Sequence, residues 1–395
     1  MSSLAWIDFD EAERQRAQRI MALFQERETR DELGLGGIRD SIADHLFPGT
    51  STIQTRLRYM LFIPWLFQML EGSSSAGADQ LASDARALEN RLANALKAGG
   101  ESNGIIGRDA GADLQRLPSS VYWAGLGTWG IRLFPGSTDS LFSSMRHLQR
   151  ARPRVRESED SASEAQALQI WTPTLPARPT DLLDHAQFKL SLDEAQFIID
   201  RLIALQPHSL LAFLARSGSS HAECDNIWEH PHLSDFPDDA RTLVGHGAIF
   251  SSVMHGASLL YNLLLSRLRD RVEWIEKYEV RFAEWQSSLD MAAIRAWSLD
   301  AFWSAIDHPA HSIRPAAKRF VAEWLSLLTA GSVLDVALTP AARLVQDRER
   351  RLKTSQSRFA NRAVRDRWTG ASGVEPLTFR WAQAKSHLRD LASAE

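Results

Sequence analysis

The stretch "LFPGTSTIQTRLRYMLF" (residues 46–62) decides how the first part of this chain is read, because it supports three local structures at once. It has the glycine and hydroxyls of a phosphate-holding loop. It also has the cadence of the second half of a DNA-reading helix pair, and the pattern of an ordinary helix start. Ser51-x-x-Gln54 is a capping box, in which two side chains satisfy amides that a first helical turn leaves unpaired. Gly49 serves the turn, Ile53, Leu57 and Leu61 share a face, and the spacing predicts a helix over Thr52–Leu70.

Immediately upstream, "IRDSIADHL" (38–46) places Ile38, Ile42 and Leu46 four residues apart and predicts a short helix. Short helix, glycine turn, then a polar-to-apolar second helix is the order of a helix-turn-helix. On that reading Thr52, Thr55, Arg56 and Arg58 meet phosphates or base edges, contacts for which hydroxyls and guanidiniums are suited. The turn is longer than in tight repressor-type units.

A shorter echo, "LFPGST", returns at 133–138. Just before it, "IIGRDAGADLQRLPSSVYWAGLGTWGI" (105–131) carries Ser119, Ser120, Val121 and Tyr122, then Leu126, then Gly130-Ile131. Recognition helices of winged-helix proteins share that rhythm. Arg108 and Arg116 flank it, giving a second helix-turn-helix-like unit in which Ser119 and Ser120 assist. The competing reading is a capped helix buried through Trp123 and Trp129.

Outside these stretches helical periodicity dominates and few strands are convincing, so the fold class is mainly α. Phe9, Ala12, Ile20, Leu23 and Phe24 lie near one face behind an Asp8/Glu11 capping pattern. Helices are predicted over 80–98, 191–205 and 207–217, and a stripe from Ala257 to Trp285 predicts one helix of some thirty residues. Pro315 opens another, which Gly331 stops, and Thr339-Pro340 starts the last long one. "GSSSAGAD" (72–79) is a small-residue linker, and 151–180, with its prolines and charges, marks a boundary or surface excursion. The expected organisation is an N-terminal region, 1–150, with two helix-turn-helix-like units. The 151–180 linker follows, then a C-terminal helical bundle, 181–395, ending in a basic helix.

Composition narrows the function classes. A net charge of −4 argues against a uniformly basic coat, although the charge is unevenly spread. The single cysteine, Cys224, excludes an internal disulfide framework and fits a reducing cytoplasm. "MLFIPWLFQML" (60–70) is too short to span a bilayer, no leader pattern opens the chain, and no membrane association is expected.

Two basic runs stand out. Arg146 to Arg156, five arginines before the acidic 157–164, reads as a solvated loop balanced by its neighbours. "ARLVQDRERRLKTSQSRFANRAVRDRW" is the stronger electrostatic signal. There Val345, Leu352 and Phe359 recur at sevens on one helix, with Arg348, Arg351, Arg358, Arg362 and Arg365 available to phosphates. A salt-bridge-laced surface helix competes equally with that reading.

Catalytic signals are sparse. No P-loop, HExxH, CxxC or GxSxG is present. Asp31, Glu32, Asp40 and Asp44 offer oxygen ligands for Mg²⁺, but a nuclease also wants a lysine near such acids, and none lies near in sequence. His221, Cys224, His230 and His232 lack the paired spacing of a zinc site. His246 and His255 read as satisfied core histidines. No metal or cofactor is expected.

The opening "LAWIDFDEAERQRA…TRDELGLGGIRDSIADHLFPGTSTIQTRLRYMLFIPWLF", with "IGRDAGADLQRLPSSVYWAGLGTWGI", "GASLLYN" and "WTGASGVEPLTFRW", resembles a bacterial domain-of-unknown-function family. The resemblance covers nearly the whole chain. It implies a single family without assigned activity, associated with phage-defence gene neighbourhoods, and it carries over no catalytic residue. The reading that follows is a non-catalytic component that engages DNA, or serves as adaptor, among other defence proteins. A protein–protein scaffold and a Mg²⁺-dependent nuclease are its rivals.

Overall fold

A computed structural model describes residues 31–72, 77–109, 114, 116–156, 169–218, 224–331 and 340–395. The face read from Phe9 to Phe24, the acidic 157–164, His221 and Thr339 lie outside them. Among the described residues there are fifteen α-helices and two isolated β-bridges, Arg132–Trp171 and His308–His311, so the chain is all-α as expected. In chain order the helices are α1 (Gly36–Leu46), α2 (Tyr59–Glu71), α3 (Ala78–Ala98), α4 (Pro118–Thr128) and α5 (Thr138–Arg156). Next come α6 (Leu192–Leu205), α7 (Leu210–Ser217), α8 (Asp238–Leu268), α9 (Val272–Ser288) and α10 (Met291–Ala296). The last are α11 (Leu299–Ala305), α12 (Pro315–Thr329), α13 (Pro340–Lys353), α14 (Arg362–Asp366) and α15 (Trp381–Ala392).

Two compact units are formed from discontinuous chain. Unit I comprises Met1–Ile42 with Leu243–Phe379, and unit II comprises Ala43–Thr242 with Arg380–Glu395.

In unit II, α2 packs on α3 and α4, α3 on α5, α6 on α7, and α7 on α15. Every residue of α2 from Tyr59 to Phe67 is buried. The helix predicted from Thr52 begins seven residues later, and the reason is tertiary. The Tyr122 hydroxyl accepts the Thr55 and Arg56 amides at 2.8 and 3.0 Å, and Asp390 accepts the Leu57 amide at 2.7 Å. Those donors are satisfied without helical geometry. Of the predicted capping box only half forms: Gln54 Oε1 accepts the Ser51 amide, while Ser51 Oγ has no partner. Thr52, Thr55, Arg56 and Arg58 are therefore not presented on a helix, and the expected helix-turn-helix order is not reproduced there. The Arg146–Arg156 run, expected as a loop, is the C-terminal part of α5.

In unit I the stripe from Ala257 to Trp285 is carried by two helices. The first, α8, starts earlier than expected and ends at Leu268, and α9 starts at Val272. Asp270 takes a left-handed φ of 50° between them, and the Arg269 guanidinium donates to the carbonyls of Arg365 and Asp366, both at 2.9 Å. By length and composition α8 could cross a membrane, and 72% of its most apolar window is buried inside protein. Pro315 opens α12, and Gly331, at φ 76°, follows its end. The basic segment is also broken. After Lys353 the chain turns left-handed at Thr354 (φ 47°), leaving Phe359 off the helix. The final helix is α15, so the expected basic helix does not end the chain.

Candidate nucleic-acid interface

Most of the predicted phosphate-binding arginines are turned inward. In unit II, Arg56 forms a forked pair with Asp390 (Nε–Oδ1 2.9 Å, Nη2–Oδ1 2.8 Å) and lies over the Phe188 ring at 4.6 Å. Burial holds the Asp390 carboxyl above its ordinary value despite the Arg56 and Leu57 donors. Arg58 donates to the Gln187 carbonyl and to Glu194, each at 2.7 Å. Thr55 Oγ1 donates to the Gly104 carbonyl at 2.7 Å, and Thr52 is exposed.

The second predicted unit is also engaged locally. Ser119 is buried, and both its amide and its hydroxyl donate to Glu89 of α3 at 2.8 Å. That carboxylate caps the first turn of α4, whose own N-cap, Leu117, supplies no side-chain acceptor. Burial raises the Glu89 pKa to about 7. Ser120 Oγ donates to the Leu117 carbonyl, and Arg108, exposed, donates to the Ser102 carbonyl. Arg116 is half-buried and lies outside the helices.

Unit I divides its cations differently. Arg358 donates to Glu32 at 2.6 Å, to Tyr261 Oη at 2.9 Å and to Ser372 Oγ at 3.0 Å. Lys353 Nζ lies 3.4 Å from the other Glu32 oxygen, so the lysine that sequence spacing failed to place beside an acid is there in space. Both Glu32 oxygens are thereby taken. Glu349, wholly buried, accepts the Ser357 hydroxyl and the Arg358 amide, and its carboxyl is raised first by burial. Arg365 donates to the Arg358 carbonyl at 3.1 Å, whereas Arg362 is exposed.

Against this network opens a groove of about 990 Å³, bordered by the Asp31–Asp40 segment, α12 and α13. Seven basic residues line it against four acidic ones. Arg319, Arg343 and Arg351 are exposed at its rim, and Ile313, Leu327 and Leu344 are half-buried in its wall. Arg348 braces the groove by donating to the carbonyls of Leu33 (2.8 Å), Ala316 (3.1 Å) and Gly34 (3.3 Å). Of the predicted site residues, only Arg348 and Arg351 line this groove. Arg39, Arg314, Arg319 and Arg343 were missed as site residues, although Arg343 lies in the basic segment. Arg319 had one legible signal, its place on the polar face of the predicted Pro315 helix, opposite the buried Phe320 and Trp324.

The remaining candidates separate. Asp31 accepts the Leu35 and Gly36 amides at 2.9 and 2.5 Å as the cap of α1. Asp40 pairs with Arg39, and Asp44 with Arg380. Among the described residues no three His, Cys, Asp or Glu side chains gather as a metal site. Trp297 donates to His246 Nδ1 at 2.9 Å, and His255 Nε2 lies 3.0 Å from the Val374 carbonyl; burial lowers the pKa of both rings.

No curated protein and no solved structure matches the chain. One family model covers residues 1–395, that of DUF6361, a family of unknown function.

Proposed function

The chain belongs to that family over its whole length, and from this premise we propose a cytoplasmic, non-catalytic component that engages nucleic acid through the arginine groove of unit I. The observation that carries the reading is the groove itself, a concave surface with a cationic excess and three rim arginines open to solvent. Guanidiniums in such a setting bind phosphate as charge-assisted donors. Service in a bacterial anti-phage complex is part of the proposal and is supported by the motif resemblance alone.

The test is fluorescence anisotropy of the full chain with labelled DNA, duplex and single-stranded, across a salt series. Binding is expected to weaken steeply with salt and to be abolished by Arg319→Glu, Arg343→Glu and Arg351→Glu together. Arg362→Glu, an exposed charge of the same unit outside the groove lining, is expected to bind nearly as wild type. Absence of binding at low salt, or full binding by the triple variant, would sink the proposal. Arg358 is a poor probe, because its loss leaves buried Glu32 with Lys353 alone and disturbs the fold.

A further inference from the structure

Resting on that reading, we infer that the groove takes a single strand and excludes a duplex. Its wall and rim differ in chemistry. Ile313, Leu327 and Leu344 give it a half-exposed aliphatic patch, while Arg314, Arg319, Arg343 and Arg351 are exposed around it and outnumber the exposed acids Glu323 and Asp347. A duplex turns its phosphates outward and stacks its bases within, so an aliphatic patch would meet charge. A single strand offers both surfaces: base faces can lie on the patch while phosphates reach the arginines.

Size agrees. At about 990 Å³ the concavity sits near the upper end of small-ligand pockets, which reach ~1,000 Å³, so it can take a short stretch of one strand inside, whereas a double helix could meet only its edge. Arg343 and Arg351 are eight residues apart on α13, about 12 Å along the axis, which matches about three or four phosphates at the ~3.4 Å stacked spacing of one strand. Asp347, on the same face between them, is paired with Arg350 at 3.3 Å. The one aromatic ring in the lining, Phe320, is 2% exposed, so no stacking platform is offered. Binding is therefore tolerant of base identity and dominated by phosphate, with a log–log salt slope of about −2 for three phosphates at ~0.7 each.

The experiment measures anisotropy of the full chain with labelled oligothymidylates of increasing length, from a trinucleotide upward, and with a duplex of the longest length. The expected result is at least tenfold tighter binding of the single strand than of the duplex. Affinity should rise steeply up to about four nucleotides and beyond that only with the number of registers. Arg351→Glu should weaken single-strand binding about tenfold and Leu327→Asn by a smaller factor, with the far-UV circular dichroism unchanged as the check on folding. Equal or tighter duplex binding that the rim variants abolish would overturn this inference and leave the proposed function standing. No binding of either form at low salt would overturn both. Displacement of the oligonucleotide by an acidic amphipathic helical peptide binding more tightly than DNA would overturn the inference in favour of a protein partner.

Discussion

"LFPGTS" at 46–51 and "LFPGST" at 133–138 differ only in the order of two hydroxyl residues, yet they do opposite things in unit II. Both turns are pinned by an indole. Trp123 Nε1, on α4, donates to the Gly136 carbonyl at 2.9 Å, and Trp129 Nε1, just past that helix, donates to the Pro48 carbonyl at 2.8 Å. The second copy starts a helix at once, with Ser137 Oγ accepting the Ser140 amide as α5 opens. In the first copy the equivalent Thr50 hydroxyl donates backward to the Phe47 carbonyl at 2.6 Å, and helix waits until Tyr59. Gly49 needs its glycine: at φ 80°, a Cβ there would sit 2.4 Å from the Trp129 indole nitrogen. The difference lies in the partners. Leu46 and Phe47 are core residues, and Tyr122 and Asp390 capture the amides that would otherwise begin a helix. Leu133 is exposed, and in the second copy the long-range capture falls on the Leu133 and Phe134 amides, which donate to the Ile170 carbonyl before the helix begins.

Removing those partners should break the contrast, most strongly at Asp390. Asp390→Ala leaves the Leu57 amide unpaired and Arg56 with only the more distant Glu101, 3.9 Å away, and an expected loss of about 4 kcal/mol should appear in urea denaturation, in line with breaking a largely buried pair. A loss under 1 kcal/mol would mean that water replaces the carboxylate without cost.

His387 sits edge-on to Trp129, and burial together with Arg56 lowers its pKa from 6.5 to about 4. Both ring nitrogens lack partners. Folding thus favours the neutral ring, so its contribution is complete above pH 6.5 and falls as the unfolded chain takes up the proton. Between pH 6.5 and 4 the loss is about 3 kcal/mol at ~1.4 kcal/mol per unit. Stability–pH curves of the wild type and His387→Leu should differ in slope in that window; parallel curves would refute the assignment.

Tyr122→Phe removes one hydroxyl that accepts two amides and donates to the Arg56 carbonyl at 2.8 Å, for an expected cost of about 2 kcal/mol. The smallest effects compare the two serines. Ser137→Ala should cost about 1 kcal/mol as a lost cap, and Ser51→Ala, whose hydroxyl is unpartnered, should stay within ~0.5 kcal/mol. Equal effects would show that the two copies are not capped differently after all.

Legibility in the sequence followed the range of the interaction involved. Ile38, Ile42 and Leu46 mark α1 correctly because their period is local, and Ser191 with Glu194 caps α6 within four residues. The bulk of α2 was equally readable, whereas its first residue was not. For the candidate site, the 343–367 segment pointed to the right stretch of chain and to two of its groove arginines. Which arginines stay open could not be read there, since Arg358 meets Glu32 at a separation of 326 residues and Arg56 meets Asp390 at 334.

What the sequence determined by itself is therefore the all-α class, the family and most helix bodies, because periodicity, caps and motifs act over a few residues. Tertiary structure alone decided where α2 begins, where α8 and α13 end, and how the chain divides between two units. It also decided that Arg319, Arg343 and Arg351 share a rim while Arg56, Arg58 and Arg358 are spent inside. Charge is set by residue type, but its availability depends on whether folding brings an acid within a few ångströms.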